Sequence, residues 1–153
     1  MATIEGLLSE HPFLAHMDGR LLRELAGCVS EVRFAEGEFL FRDGGEASES
    51  YLIRSGQVAL EIDVPGTGPM KVETVEAGGV VGWSWLLAPY RWHFDALATR
   101  PTEAMALDGA CIRGKCETNH ELGYELSKRF LYVVQQRLER VRMQLLDVYH
   151  AHA

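Results

Sequence analysis

Residues 35–58 have the sequence AEGEFLFRDGGEASESYLIRSGQV, and this stretch decides the fold. Apolar and polar residues alternate in two short runs, around Phe39 and Phe41 and around Tyr51 and Ile53, and glycine-containing turns separate the runs. Alternation with a period of two is typical of β-strands that bury one face, and glycine permits positive φ at a tight turn. The stretch therefore predicts short strands joined by tight turns.

The same pattern extends over residues 29–109. Short alternating runs recur at the spacing of an antiparallel sandwich or barrel, and residues 102–107 are expected to form the closing strand. We predict an antiparallel β-roll of the jelly-roll type. A cupin-type jelly roll is the rival fold, but cupins usually bring several histidines into the barrel, and this zone contains only His93.

Helices are predicted on both sides of the β-roll, which makes the fold class α+β and mainly β. Residues 5–27 carry apolar residues at helical spacing and predict two short helices, the second capped by Asp18. Residues 110–149 predict C-terminal helices, with Asn119 as a cap. An early apolar stripe of this segment is expected to rest against the sheet: Leu122, Leu126, Phe130 and Val133.

A second apolar stripe follows on the long C-terminal helix, with alternating gaps of three and four residues. We call it the seam, and it comprises Leu131, Val134, Leu138, Val141, Leu145 and Val148. This heptad spacing is typical of a coiled coil and predicts a homodimer. The alternative is that both stripes form one wide face that folds onto the β-roll of the same chain.

Length and charge exclude several classes of protein. The chain of 153 residues has the size of one domain, residues 1–153, and its formal net charge is −7. A protein that neutralises nucleic-acid phosphates normally presents a basic face, and no run of basic residues exceeds two here. No apolar run approaches the roughly 20 residues that span a bilayer, and the N-terminal residues do not resemble a signal peptide. We expect a cytoplasmic protein that binds neither nucleic acid nor membrane.

The sequence contains no recognisable catalytic or metal-binding constellation. The three cysteines, Cys28, Cys111 and Cys116, form no Cys-x-x-Cys pair, and we interpret them as reduced and mostly buried thiols. His11 and His16 lie five residues apart, which is wrong for two metal ligands on one helical face. We therefore expect neither an enzyme nor a metal site.

Three motifs in this order resemble the cyclic-nucleotide-binding domain family, and the resemblance covers about residues 5–149. They are the runs at residues 35–45, 51–58 and 78–82. The resemblance implies a β-roll of the catabolite activator type, a regulatory and non-catalytic function, and a phosphate-binding cassette at about residues 78–96 that takes cAMP or cGMP. The cassette sequence is also similar to that of stand-alone bacterial members of this family, which share Trp-Ser-Trp-Leu and Tyr-Arg-Trp-His-Phe-Asp.

The cassette departs from the family pattern at the two residues that hold the ligand. In the family, a glutamate after a glycine accepts the ribose hydroxyl, and an arginine binds the cyclic phosphate. Here Trp83 follows Gly82, and the position of the arginine falls near His93, with Arg91 two residues away. The residues expected to bind a ligand are Gly82, Trp83, Ser84, Trp85, Arg91, Trp92 and His93.

Five aromatic residues crowd this cassette: Trp83, Trp85, Tyr90, Trp92 and Phe94. Three interpretations follow. The rings fill the cavity and leave a closed, structural cassette; the cassette still binds a cyclic nucleotide, with Arg91 or His93 on the phosphate; or a remodelled pocket stacks a different flat ligand between rings.

The transcription factors of the family carry a DNA-reading segment after the long helix, and we expect this protein to have none. The N-terminal Met1 and the short tail after the helix favour a complete protein. A signal is then expected to pass through the geometry of the dimer or to an unknown protein effector, with the C-terminal helix as the moving part.

Overall fold

The computed structural model describes residues 3–151. Four α-helices occur in this range, together with a short 3₁₀ helix at Pro12–Leu14: α1 (Ile4–Glu10), α2 (Gly19–Ala26), α3 (Gly109–Thr118) and α4 (His120–Ala151). The predicted single domain of residues 1–153 and the interpretation of the tail both include Met1, Ala2, His152 and Ala153, which lie outside the described residues.

Eight β-strands form two four-stranded antiparallel sheets. The strands are β1 (Val29–Phe34), β2 (Phe39–Phe41), β3 (Glu49–Ser55), β4 (Gln57–Val64), β5 (Gly68–Glu76), β6 (Val80–Val81), β7 (Asp95–Ala98) and β8 (Thr102–Asp108). Their order is β1-β8-β3-β6 in the first sheet and β2-β7-β4-β5 in the second. The predicted fold class, with N-terminal helices, an antiparallel β-roll and a long C-terminal helix, is confirmed.

Capping residues fix where several helices begin. The Asp18 side chain accepts a hydrogen bond from the backbone N–H of Arg20 at 2.8 Å, as predicted for the start of α2. Asn119 ends α3 and also caps α4, because its side-chain oxygen accepts from the backbone N–H of Leu122 at 3.2 Å. Each cap satisfies a helix-end donor that would otherwise lack a partner.

The molecule has two apolar cores. One lies between the helices and the first sheet and contains the early stripe of α4, of which Leu122, Leu126 and Phe130 are almost fully buried. The other lies inside the β-roll, between the two sheets. The cassette passes between these cores, so its side chains contribute to both.

The second half of α4 leaves the core and runs beside β5. Gln144 donates a hydrogen bond to the backbone carbonyl of Val72 at 3.4 Å, so α4 contacts β5 of the second sheet as far along the helix as Gln144. The seam is largely exposed; Leu131 is 67% exposed and Leu145 56%. Packing within one chain therefore does not bury it.

The interpretation of all three cysteines as reduced thiols is wrong for two of them. Cys28 and Cys111 form a disulfide, with a Cα–Cα distance of 5.7 Å, and Cys116 is free and half-buried. The pairing of β1 with β8 places Val29 opposite Leu107, and the backbone N–H of Asp108 donates to the Cys28 carbonyl at 2.8 Å. Cys111 lies in the first turn of α3, directly after β8. Sequence spacing does not reveal this neighbourhood, because the two cysteines are 83 residues apart.

Candidate functional site

The cassette loop follows β6 and begins at Gly82. This glycine has φ of +93°, and a Cβ atom at this position would lie 2.7 Å from the Trp92 ring. The Ser50 hydroxyl donates to the Gly82 carbonyl at 3.0 Å. Glycine is therefore required here both by the backbone conformation and by the ring that passes next to it.

Trp92 lies inside the β-roll. Its ring is 4% exposed and stacks on Phe41, with 3.7 Å between ring centroids and 9° between the ring planes. Two hydrogen bonds fix its backbone: the Trp92 N–H donates to the Gly45 carbonyl, and the Gly44 N–H donates to the Trp92 carbonyl. Trp92 is thus a core residue of the roll rather than a wall of an open pocket.

Trp85 lies in the other core, against the helices. It is fully buried and meets Phe130 of α4 edge to face, with ring centroids 5.4 Å apart. Arg113 of α3 donates to the Trp85 carbonyl and places its guanidinium 4.2 Å from the centre of the Tyr90 ring. Arg113 therefore links two residues of the cassette loop, Trp85 and Tyr90, to α3.

Trp83 is half-buried and borders an open groove of about 660 Å³ between the cassette, the second sheet and α4. We call this the cassette groove. Its walls are mostly apolar, and it is lined by Leu60, Ile62, Val72, Glu73, Thr74, Trp83, His93, Phe94, Val134, Arg137, Leu138, Arg140, Val141 and Gln144. Three seam residues are among them, so the seam and the groove share one stretch of α4.

Arg137 and Glu73 are two deeply buried charged residues of the cassette groove. The Arg137 side chain is 13% exposed, its Nε lies 2.5 Å from a carboxylate oxygen of Glu73, and its guanidinium carbon lies 4.8 Å from the centre of the Trp83 ring. It also donates to the Val80 carbonyl, and Arg140 forms a second ion pair with Glu73. Burial lowers the pKa of Arg137, and the neighbouring Glu73 opposes this shift. Arginine side chains stay protonated in proteins, so we treat the guanidinium as charged.

Two nitrogens of this guanidinium, Nε and Nη1, lack a hydrogen-bond partner within the described part of the chain. The Nη1 atom of Arg137 is buried and has no hydrogen-bond partner among residues 3–151, and the Nε contact with Glu73 is a charge contact without hydrogen-bond geometry. Buried N–H groups in folded proteins nearly always have an acceptor. Arg137 thus brings a buried donor without an acceptor to the wall of the cassette groove.

The remaining predicted site residues are dispersed. His93 is exposed and lines the cassette groove, whereas Arg91 is exposed and its backbone bridges to Glu46 outside the groove. Ser84 is half-buried within the loop. Of the seven predicted residues, the structure brings only Trp83 and His93 to the groove.

Sequence reasoning missed Arg137 and Glu73. Arg137 stands between seam residues, and a polar residue there is expected in any amphipathic helix. Only the packing of α4 beside β5 shows that it turns towards Glu73 and Trp83. No sequence signal would have identified this pair.

A second groove of about 720 Å³ lies on the other side of this ion pair, between the β5–β6 turn, the 3₁₀ helix and α4. It shares Glu73, Thr74, Arg137 and Arg140 with the cassette groove. It reaches the start of the predicted cassette at residues 78–80 but includes none of the seven predicted site residues. Within the described residues, no cluster of three or more potential metal ligands occurs, and none of the helices is long and apolar enough to cross a membrane.

Comparison with known proteins decides which family has this architecture. The family model of the cyclic nucleotide-binding domain matches residues 31–119, more than half of the chain and including the whole cassette. The chain belongs to the cyclic nucleotide-binding domain family. The resemblance inferred from the three sequence motifs is thereby confirmed.

Individual members of the cyclic nucleotide-binding domain family agree with this assignment. A cAMP-dependent protein kinase regulatory subunit from Blastocladiella emersonii is 24% identical over 112 residues, which cover 73% of this chain and 28% of that protein. The chain thus spans little more than a quarter of that relative. A provisionally assigned cyclic nucleotide-binding protein from Geobacter metallireducens is 28% identical, with a TM-score of 0.79 over 90% of this chain and 99% of the other.

A third relative carries a bound molecule. The regulatory subunit of a cAMP-independent protein kinase A from Trypanosoma cruzi, bound to guanosine, is 27% identical. The match covers 67% of this chain and 36% of that protein, with a TM-score of 0.61. Members of the cyclic nucleotide-binding domain family in this comparison therefore include regulatory subunits of kinases as well as bacterial proteins.

Proposed function

We propose that this chain is a non-catalytic regulatory domain that binds a small molecule in the cassette groove and reports its presence through α4. The observation that carries the proposal is the position of the groove between Trp83 and His93 of the cassette and Val134 and Leu138 of α4. A ligand seated there contacts both elements at once. Its binding can therefore favour one position of α4 over another, which is what a ligand-driven switch requires.

The family makes cAMP and cGMP the first ligands to test. This chain has Trp83 in place of the glutamate that accepts the ribose hydroxyl, and His93 near the place of the cassette arginine, so recognition of ribose and phosphate differs from the family pattern. Arg91 lies outside the groove, which leaves His93 as the basic cassette residue that lines it. The guanosine bound to the relative from Trypanosoma cruzi supports a nucleoside as a further test ligand.

A homodimer formed through the seam, acting on a protein effector in the cytoplasm, is part of the proposal. Leu131, Leu138 and Leu145 are each more than half exposed although they repeat with heptad spacing. A second copy of α4 would bury them by knobs-into-holes packing. Because Leu138 also lines the cassette groove, such a partner helix would lie next to the bound molecule.

The test is calorimetric titration of the protein with cAMP, cGMP and guanosine, repeated on Ile62→Trp. Ile62 lines the groove and is 39% exposed, so a larger side chain can fill the groove without entering the core. We expect saturable binding in the micromolar range, about −8 kcal/mol, in the wild type and none in Ile62→Trp. Binding that survives Ile62→Trp would contradict the location of the site, and no heat up to millimolar concentrations would exclude these three ligands.

A specific observation favours a second candidate function, a dimeric scaffold whose pocket is closed. Trp92 and Phe41 stack in the interior of the β-roll, where an open pocket would need space. A scaffold of this kind would dimerise through the seam and bind an effector without any small molecule. Dimerisation together with a failure of every groove ligand would favour this candidate.

A further inference from the structure

The cassette groove has an apolar lining with one aromatic edge. Leu60, Val72 and Val134 contribute aliphatic surface, while Trp83 and Phe94 contribute rings whose centroids are 6.5 Å apart. Flat apolar molecules pack well against surfaces of this kind, because rings offer a large contact area at a low cost in side-chain entropy. The walls therefore favour a ligand with an aromatic ring system.

The charges of the cassette groove select for an anion. Two arginines, Arg137 and Arg140, face a single carboxylate, that of Glu73, although the whole chain carries a net charge of −7. A local excess of positive charge in an acidic protein repels cations and attracts anions. A cationic ligand would meet the two guanidinium groups and is disfavoured relative to an anion.

Arg137 supplies the contact point. Its Nη1 is buried without an acceptor, while its Nε is next to Glu73 and its other terminal nitrogen donates to the Val80 carbonyl. The guanidinium is thus held by the Glu73 carboxylate and the Val80 carbonyl, and its Nη1 remains a donor without an acceptor. A carboxylate, sulfonate or phosphate oxygen would satisfy this donor with a charge-assisted hydrogen bond.

We propose that the cassette groove binds a flat aromatic anion whose negatively charged group is bound by Arg137 and whose rings lie against Trp83 and Phe94. The inference rests on the proposed function, since it takes the cassette groove as the ligand site. It moves the anion contact from the cassette to α4, so the helix that transmits the signal also holds the charge of the ligand. Cyclic nucleotides belong to this class, but neither a ribose nor a cyclic phosphate is required.

The experiment uses two fluorescent probes that share one ring system. Anilinonaphthalene sulfonate is a flat aromatic anion, and phenylnaphthylamine is the same scaffold without the sulfonate. Both are titrated against the wild type, Arg137→Gln and Arg142→Gln. Arg142 is the matched control, because it pairs with Glu139 on the exposed side of α4 and lies outside the groove.

We expect Arg137→Gln to weaken binding of the sulfonate probe roughly 10-fold or more and to leave the uncharged probe unchanged. Arg142→Gln should change neither affinity. Glu73→Gln should strengthen binding of the sulfonate probe, because it removes the carboxylate that competes for Arg137. A purely structural role of Arg137 would not produce opposite effects in these two variants, and circular dichroism checks that each variant is folded.

The outcomes separate the inference from the proposed function. Suppose that both probes bind the wild type, lose affinity in Ile62→Trp and bind Arg137→Gln as tightly as the wild type. The groove is then a ligand site, but the anion contact is wrong. If neither probe binds the wild type, or if Ile62→Trp leaves both affinities unchanged, the proposed ligand site and the inference are both overturned.

Discussion

The indole ring of Trp92 lies parallel to the phenyl ring of Phe41, with 3.7 Å between their centroids, in the centre of the β-roll. The pair occupies space between the two sheets, whereas Trp83 borders the open cassette groove. The three tryptophans of the cassette therefore have two different structural roles. Trp92 and Trp85 fix the loop to the two cores, and Trp83 stays at the groove.

This division predicts unequal costs of removing the two rings. Trp92→Ala should lower the free energy of unfolding by about 3–5 kcal/mol, because it removes a buried ring and leaves a cavity next to Phe41. Trp83→Ala should cost clearly less, since Trp83 is only half-buried. Urea unfolding followed by circular dichroism measures both. Equal losses in the two variants would contradict the assignment of Trp92 to the core.

Reduction of the Cys28–Cys111 disulfide should destabilise the protein. The bond closes a loop of more than 80 residues, and a constraint of this length stabilises the folded state by about 4 kcal/mol through the entropy of the unfolded chain. We expect a reductant, or Cys28→Ser, to lower Tm by roughly 10 °C in thermal unfolding. Cys116→Ser is the control, because Cys116 is free and its removal should leave the effect of the reductant intact. A wild-type Tm that does not respond to reductant would show that the bond is not formed.

Stability should fall as the pH drops below neutral because of His11. This side chain is buried; its Nδ1 accepts from the backbone N–H of Phe13 at 3.2 Å, so its Nε2 carries the proton and donates to the Ile53 carbonyl at 3.1 Å. Burial lowers the pKa of His11 from 6.5, and the hydrogen bond to the Ile53 carbonyl opposes this shift only in part. The unfolded chain then binds the extra proton more readily than the folded one. The contribution of neutral His11 is therefore present above pH 6.5 and is lost as the pH falls towards the lowered pKa.

The measurement is the free energy of unfolding across this pH range in the wild type, His11→Gln and His120→Gln. His11→Gln should flatten the decline at acidic pH, and His120→Gln should not, because His120 is exposed. A wild-type stability that rises on acidification through pH 6.5 would contradict the sign of the shift.

The seam predicts a homodimer, and a single charged substitution in the seam should dissociate it. Leu145→Lys places a charge within the seam of the proposed coiled coil, where it would remain buried without a partner, so the dimer should dissociate. Met143→Lys is the matched control, since Met143 is equally exposed on α4 but lies outside the seam. Sedimentation equilibrium should give twice the chain mass for the wild type and for Met143→Lys, and the chain mass for Leu145→Lys. A monomeric wild type would rule out the homodimer.

The order of helices and strands could be predicted because short-range sequence patterns indicate each of them. Alternation around Phe39 and Tyr51 marked strands, and Asp18 and Asn119 marked helix starts, since a cap acts on its own first turn. β7 was not singled out from the sequence, because Asp95–Ala98 follows directly on the aromatic cassette. Its place in the sheet depends on pairing with β2 and β4.

The candidate site was less predictable than the fold. Five rings within twelve residues suggested one aromatic box, but Trp85 and Trp92 point into different cores because the loop crosses between them. The Arg137–Glu73 pair and the disulfide both join segments distant in sequence. Such contacts depend on how α4 and α3 pack against the strands, and no local pattern encodes that packing.

The most direct test of the central claim uses the three indole N–H signals in nitrogen–proton correlation NMR spectra of the isotopically labelled protein. Each tryptophan is assigned by its substitution with phenylalanine, and the protein is titrated with anilinonaphthalene sulfonate and with cAMP. If the cassette groove is the ligand site, an added ligand should shift the indole signal of Trp83 and the α4 amides around Arg137, while the signals of Trp85 and Trp92 stay in place. A shift of Trp92 without a shift of Trp83 would place the ligand inside the β-roll and contradict the account.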